Sequence, residues 1–275
     1  MIDKWYPSRT DPENCPMDYF IAKYVVGIER DKISPSNAKM TAGKEVHNAM
    51  ENYLSGIDKT KAINDGKERL RLHYCLDDRD RKQLDICMHE FDAVFNNTLL
   101  AVEQCKIEPT DIEIDVEANV MGLERPVGGI IDVMEKDIIN EFKTKWSSPF
   151  LKKDGTFSER SAPQIKEPTH GYVRQASMYH HGSGKPVRII CATAKGYQVF
   201  DQNNCDFLSQ HSLDIAFETM RISARARENF LKMSESGEVL ARYVPLNLSH
   251  YAWSNIDATA LQQVKQVWGY RNVTS

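Results

Sequence analysis

Residues 128–145 read Gly-Gly-Ile-Ile-Asp132-Val-Met-Glu-Lys-Asp-Ile-Ile-Asn-Glu141-Phe-Lys143-Thr-Lys145. Two short apolar runs flank a polar turn, the pattern of a β-hairpin with a buried face. Side chains alternate along a strand with period two, so a one-residue slip would move every apolar side chain to the wrong face. With the turn centred on Lys136-Asp137, Asp132 falls directly opposite Glu141. Opposed Cβ atoms stand about 4.5–5.5 Å apart. Glu141 and Lys143, two apart, share a face. The hairpin commits the chain to a sheet with two carboxylates and an amine on one side.

The rest of the chain shows what such a sheet packs against. Residues 17–26 read as a short helix, and Ser34-Pro-Ser-Asn37 as a turn. Ala42, Val46, Ala49, Met50 and Tyr53 repeat on one face of a helix over 41–54. Residues 60–106 read as helical and highly charged. Alternation then replaces the helical period at Ile112-Glu-Ile-Asp-Val-Glu-Ala118, a half-buried strand. After the hairpin, residues 147–168 form a long polar loop punctuated by Pro149, Gly155, Pro163 and Pro168, a length that is usually functional or disordered. A helix runs from about Thr169 to Gly182. Strands follow at 187–192 and 197–200, then a long helix over 206–234 that Gly237 breaks, and a last helix over 257–268. The order predicts one α/β domain over 1–275, with a helical part to about 107, a core over 108–205 and C-terminal helices over 206–275.

The 275 residues are 41% hydrophobic and 27% charged, an ordinary globular balance. No apolar run is long enough to span a bilayer, and the first residues lack the pattern of a secretory signal. Six scattered cysteines without a Cys-x-x-Cys point to a reducing, cytoplasmic setting and no membrane partner. The net charge of −4 disfavours strong non-specific nucleic-acid binding. Positive charge is concentrated locally, from Lys145 through Lys152, Lys153, Arg160, Lys166 and Arg174 to Arg188, just downstream of the hairpin.

Two carboxylates suit a hard divalent cation such as Mg²⁺, which prefers oxygen ligands and works beside substrate phosphate. An adjacent lysine can stabilise the charge that builds on phosphorus. Asp132, Glu141 and Lys143 are therefore candidates for metal-assisted phosphodiester hydrolysis, against the alternative of a surface salt bridge. On the 41–54 helix, Gly43-x-x-x-His47-x-x-x-Glu51 puts His47 and Glu51 one turn apart on one side. His47 is a candidate metal ligand or phosphate contact, with Glu51 supporting it. Gln175-x-x-x-Tyr179 forms a second stripe that can read a phosphate or a base, and Lys145 and Arg174 are candidate substrate contacts. His73-x-Cys75 with Cys87-x-His89 offers a competing zinc reading. Residues two apart on a helix point about 200° away from one another, which argues against it.

Taken together, Gly43-x-x-x-His47-x-x-x-Glu51, Gly129-Ile-Ile-Asp132, Glu141-Phe-Lys143-Thr-Lys145 and Gln175-x-x-x-Tyr179 resemble, in order and near spacing, the RecB-type exonucleases of the PD-(D/E)xK nuclease superfamily. The resemblance covers roughly residues 15–200. It implies a restriction-endonuclease-like, three-layer α/β core with a central mixed sheet. It implies Asp132, Glu141 and Lys143 as the catalytic centre, and a Mg²⁺ or Mn²⁺ ion held by His47, Asp132, Glu141 and the backbone carbonyl of Phe142. Gln175 and Tyr179 would contact DNA near the cut. Some relatives carry a four-cysteine iron–sulfur cluster. Cys15-Pro16 resembles its upstream part, but no cysteine follows Cys205, so no cluster is expected and Cys15 is read as a buried thiol. No Walker motif is present.

The implied activity is exonucleolytic hydrolysis at single-stranded or duplex DNA ends, in processing, recombination or repair, as in compact stand-alone phage nucleases. A structure-specific endonuclease or resolvase on the same core remains open, as does a non-catalytic nucleic-acid-binding protein on a retired nuclease fold. A recombination or replication protein, or a second copy of the chain, remains open as a partner.

Overall fold

The computed structural model describes residues 2–270. Among these the α-helices are α1 (Met17–Tyr24), α2 (Arg30–Ile33), α3 (Ala38–Leu54), α4 (Lys59–Arg71), α5 (Asp78–Cys105), α6 (His170–Ser183), α7 (Gln210–Leu231), α8 (Gly237–Ala241) and α9 (Ala258–Val267). The strands are β1 (Asp111–Ala118), β2 (Val127–Met134), β3 (Ile139–Thr144), β4 (Ser148–Leu151), β5 (Phe157–Arg160), β6 (Val187–Thr193) and β7 (Gly196–Phe200). Among the described residues, no helix is long and apolar enough to cross a membrane.

The chain groups into two compact units. One comprises residues up to Pro35, Glu117–Gly129 and those from Asp214 on; the other is Ser36–Val116 with Ile130–Leu213. The second unit is built on a mixed sheet of order β1-β2-β3-β6-β7. β2 and β3 are antiparallel, β3 and β6 parallel, β6 and β7 antiparallel. The parallel pair requires a long crossover, and the segment containing α6 supplies it. Helices α3, α4 and α5 pack on one face, where Ala42, Val46, Met50, Leu70, Phe91 and Phe95 bury against Val133, Phe142, Ile190 and Ala192. Helix α6 packs against β6.

Local chemistry sets the helix ends. Asn37, Asp58, Asp77 and Thr169 each cap a helix by accepting a backbone N–H with the side chain. Gly184, at φ 73°, closes α6 in the left-handed conformation.

Three sequence expectations change. The helical stretch 60–106 is two helices broken at 72–77. There Asp80 accepts the N–H groups of Ala38 (2.8 Å) and Leu76 (3.1 Å), and His73 bridges Asp80 (2.9 Å) to Thr41 (3.0 Å). These bonds satisfy the Leu76 N–H within the break and anchor the first turn of α3. The 147–168 loop is not structureless, because β4 and β5 pair antiparallel within it, Leu151 opposite Phe157. Asp154 and Gly155 (φ 81°) make its turn. The long C-terminal helix stops at Leu231, and Gly237 opens α8 rather than ending a helix. A Cβ at Gly237 would lie 3.1 Å from the Val25 carbonyl oxygen, a close approach that only glycine makes easily.

In the first unit, Trp5 is fully buried against Phe20, with ring centroids 5.8 Å apart. Its indole N–H donates to buried Glu228 (2.9 Å), which also accepts the N–H groups of Glu124 and Arg125. Cys15 is buried here, and burial pushes its thiol pKa up.

Candidate active site

The β2–β3 register pairs Val133 with Asn140 and Met134 with Ile139. Continued by one step it sets Asp132 opposite Glu141, as the Lys136-Asp137 turn centre requires. The ladder stops there. Asp132 Oδ2 accepts the Phe142 backbone N–H at 2.7 Å, so a side chain takes the place of a strand partner.

Helix α3 reaches this point through Gly43, where a Cβ would stand 3.1 Å from Thr144 Oγ1. One turn further on, His47 Nδ1 lies 3.6 Å from Asp132 Oδ1, and its ring meets the Phe142 ring edge-on at 6.3 Å. Glu51, one turn beyond, is half-buried. Burial and the charges of Glu113 and Asp132 push its pKa up to about 7.

Glu141 is 3% exposed. Its Oε1 accepts from the Lys143 ammonium, while its Oε2 is buried without a hydrogen-bond partner. Burial, and next the Asp132 charge, push the Glu141 pKa up to about 7. Burial also opposes ionisation of Asp132, but His47 and Lys143 outweigh it and hold that carboxyl below its usual range. His47 is raised despite its burial, because Asp132 favours the imidazolium. Lys143 is raised in the same way by Glu141 and Asp132. Two carboxylates with opposite tendencies thus stand side by side, a pattern of sites that handle charge.

The Gln175–Tyr179 stripe also converges here, with a different outcome for each residue. Tyr179 is 1% exposed and has no ring face open to a base. Its hydroxyl donates to the Ile130 carbonyl and accepts from Gln175 Nε2 at 2.6 Å, so it ties α6 to β2 two residues before Asp132. Burial, and then the neighbouring Glu141 charge, raise its pKa. The expected DNA contact through the Tyr179 ring thus meets a ring that is buried, with its hydroxyl bonded to β2.

Tyr172, three residues before Gln175 on α6, lies beside two lysines of the hairpin. The Lys143 and Lys145 ammonium groups each lie 5.3 Å from its ring centroid. It belongs to the same helical stripe as Gln175 and Tyr179, at i, i+3 and i+7, and that spacing was the available signal. Arg174 sits on α6, where its carbonyl accepts from Ser177.

The site is suited to a cation. Buried Glu141 Oε2 lacks a hydrogen-bond partner, and the Asp132 charge is close enough to raise the Glu141 pKa. Even so, Asp132, Glu141 and His47 do not bring one ligand atom each within 4.8 Å of one another. Among the described residues, His73, Cys75 and Asp80 do. In that trio both His73 nitrogens and both Asp80 oxygens already carry hydrogen bonds. His73 and Cys75 lie in the α4–α5 break rather than on a helix, so the helical argument against zinc does not apply to them. Their saturated bonding makes the trio a structural joint, while Cys87 is buried in α5 and accepts from Gln83.

No family model matches the chain, and no curated protein matches it in sequence. Among the solved structures similar to it are two at low sequence identity. One is the "Putative exonuclease" of Eubacterium rectale, at 13% identity and a TM-score of 0.49, covering 82% of each chain. The other is SSO0001, at 12% identity and a TM-score of 0.26, covering 59% of this chain and 85% of its own. At these values neither likeness bears on activity.

Proposed function

We propose that the chain is a divalent-metal-dependent nuclease of the RecB-type PD-(D/E)xK kind, an exonuclease acting at DNA ends. The observation that carries this reading is the convergence of Asp132, Glu141, Lys143 and His47 at the point where β2 and β3 part. Buried Glu141 there keeps one oxygen without a partner.

Asp132, Glu141, His47 and the Phe142 carbonyl would hold Mg²⁺ or Mn²⁺. When bound, such an ion neutralises charge on the phosphodiester and activates water. The protein's own groups do the rest. Lys143, held by Glu141 and lying over the Tyr172 ring, presents a fixed positive charge to an oxygen that becomes more negative in the transition state. Asp132, kept ionised by His47 and Lys143, is ready as a ligand at neutral pH. Glu141 keeps its proton more readily and would have to release it to serve as a ligand. Tyr179 and Gln175 hold β2 in place beside Asp132. Lys145 is the candidate contact for the incoming strand.

The test is digestion of end-labelled single- and double-stranded DNA with Mg²⁺ or Mn²⁺, beside a covalently closed circle. The reading expects loss of linear DNA, an intact circle, and loss of cleavage in Lys143→Ala that stays folded. Full cleavage by Lys143→Ala would overturn the mechanism. Cleavage of the circle would replace exonuclease by endonuclease. No hydrolysis of any substrate with either metal would point to a binding protein.

A further inference from the structure

The first unit contains an open pocket of about 330 Å³, at the small end of ligand sites. It is lined by Tyr6, Ser8, Arg9, Lys23, Tyr24, Arg30, Asp31 and Ser34. Three cations converge on one ring. Arg9, Arg30 and Lys23 lie 5.0, 5.2 and 5.7 Å from the Tyr24 centroid. Arg9 also lies 4.5 Å from the Tyr6 centroid. The carboxylates do little to balance them. Arg9 has Asp3 at 3.6 Å, but that side chain is 78% exposed. Lys23 donates to the neutral Tyr19 hydroxyl (3.3 Å), and Arg30 has no carboxylate within ion-pair distance among the described residues. Asp31 lines the pocket without pairing to any of the three.

This concentration sits in a chain of net charge −4, so general basicity does not explain it. Like charges repel by roughly 1 kcal/mol per pair at about 4 Å in water, and less when farther apart. Cation–π contacts return about 0.5–1 kcal/mol each at exposed sites. The arrangement is therefore close to neutral when empty and favourable once an anion enters. The guanidinium groups of Arg9 and Arg30 match a phosphate's several oxygens through planar forks.

We propose that this pocket is a phosphate-binding site that grips the backbone of a single-stranded nucleic acid, separate from the residues that would perform hydrolysis. This rests on the nucleic-acid reading above, and free phosphate is the competing source of the same chemistry.

The experiment uses the full chain in EDTA, so that cleavage does not interfere. Binding of a fluorescein-labelled single-stranded oligonucleotide is followed by anisotropy across a salt series, with inorganic phosphate as competitor. The Arg30 side chain is exposed and makes no other polar contact among the described residues, and its carbonyl keeps the Ser34 N–H whatever the side chain, so its substitution should leave the fold intact. Arg30→Glu should weaken binding roughly tenfold at low salt. Arg30→Ala should flatten the slope of log affinity against log salt by about 0.7, one phosphate's worth for a single strand. Arg30→Lys should keep most of the slope. Unchanged affinity and slope in Arg30→Glu would overturn the proposal. So would Arg30-dependent binding of inorganic phosphate with no effect on the oligonucleotide. Failure of the nuclease reading is distinguishable, because it appears as absent cleavage with metal while Arg30-dependent binding persists.

Discussion

Replacing Glu141 by Gln tests the electrostatics of the site without changing its shape. In the folded protein this carboxyl titrates near 7, against 4.5 in an unstructured chain. As pH rises, the unfolded chain gives up the proton first, so this group lowers stability between about 4.5 and about 7, and its effect is constant above that. Asp132 does not mask the trend. Its value is lowered, so its stabilising contribution is complete above 3.8 and is lost only in acid. For Glu141 the full difference is about 3 kcal/mol, of which about 2 kcal/mol falls between pH 5.5 and 8. In a chain of this size that corresponds to roughly 4–8 °C in Tm. His47 is raised and adds a loss of the same sign, so the comparison must be between proteins rather than within one. Thermal unfolding in EDTA at the two pH values, for wild type and Glu141→Gln, gives the required difference. The variant should gain relative to wild type by about 2 kcal/mol on going from pH 5.5 to 8. Parallel profiles would show that Glu141 does not keep its proton in the folded protein. In a second arm at pH 8, Mn²⁺ at a hundredfold excess over its Kd should stabilise wild type by about 2.7 kcal/mol. It should leave Glu141→Gln nearly unchanged.

Other predictions follow from single contacts. Asp80→Ala removes the acceptor for Ala38 and Leu76 and the His73 partner; denaturant titration should show a loss of about 2–4 kcal/mol. Gly66→Ala places a Cβ 2.8 Å from Phe91 Cζ and 3.2 Å from the Glu45 carbonyl oxygen. The strain, about 1–3 kcal/mol, should exceed the helix-propensity gain of about 1 kcal/mol and lower the Tm. Tyr179→Phe leaves the Ile130 carbonyl without its donor and should cost about 1 kcal/mol in denaturant unfolding. Because the ring stays, it should lower kcat in the cleavage assay more than it raises KM, as expected for a positioning group.

Part of this protein is determined by residue order alone. The hairpin register follows from period-two alternation and one turn, so Asp132 opposite Glu141 is a local property of eighteen residues. The same holds for the face that α3 buries, and for the end of α6 at Gly182–Gly184. Other features depend on groups far apart in the chain. The break between α4 and α5 is invisible to periodicity, because Leu72-His-Tyr-Cys-Leu-Asp77 contains no Gly or Pro and could continue a helix. It exists because His73 and Asp80 bond to the start of α3, more than thirty residues away. The β4–β5 pair escapes notice because four-residue strands are too short to show alternation. The spacing Gln175–Tyr179 marks a shared stripe, but only packing decides that Tyr179 is sealed against Ile130 and that Tyr172 lies beside the lysines. The phosphate pocket is the extreme case. Lys23 adjoins Tyr24 in sequence, but only the folded unit brings Arg9 and Arg30 to the same ring. Sequence determines what adjacent residues share through backbone geometry. Tertiary structure alone decides which distant charges meet, and those charges set which of the two buried carboxylates keeps its proton.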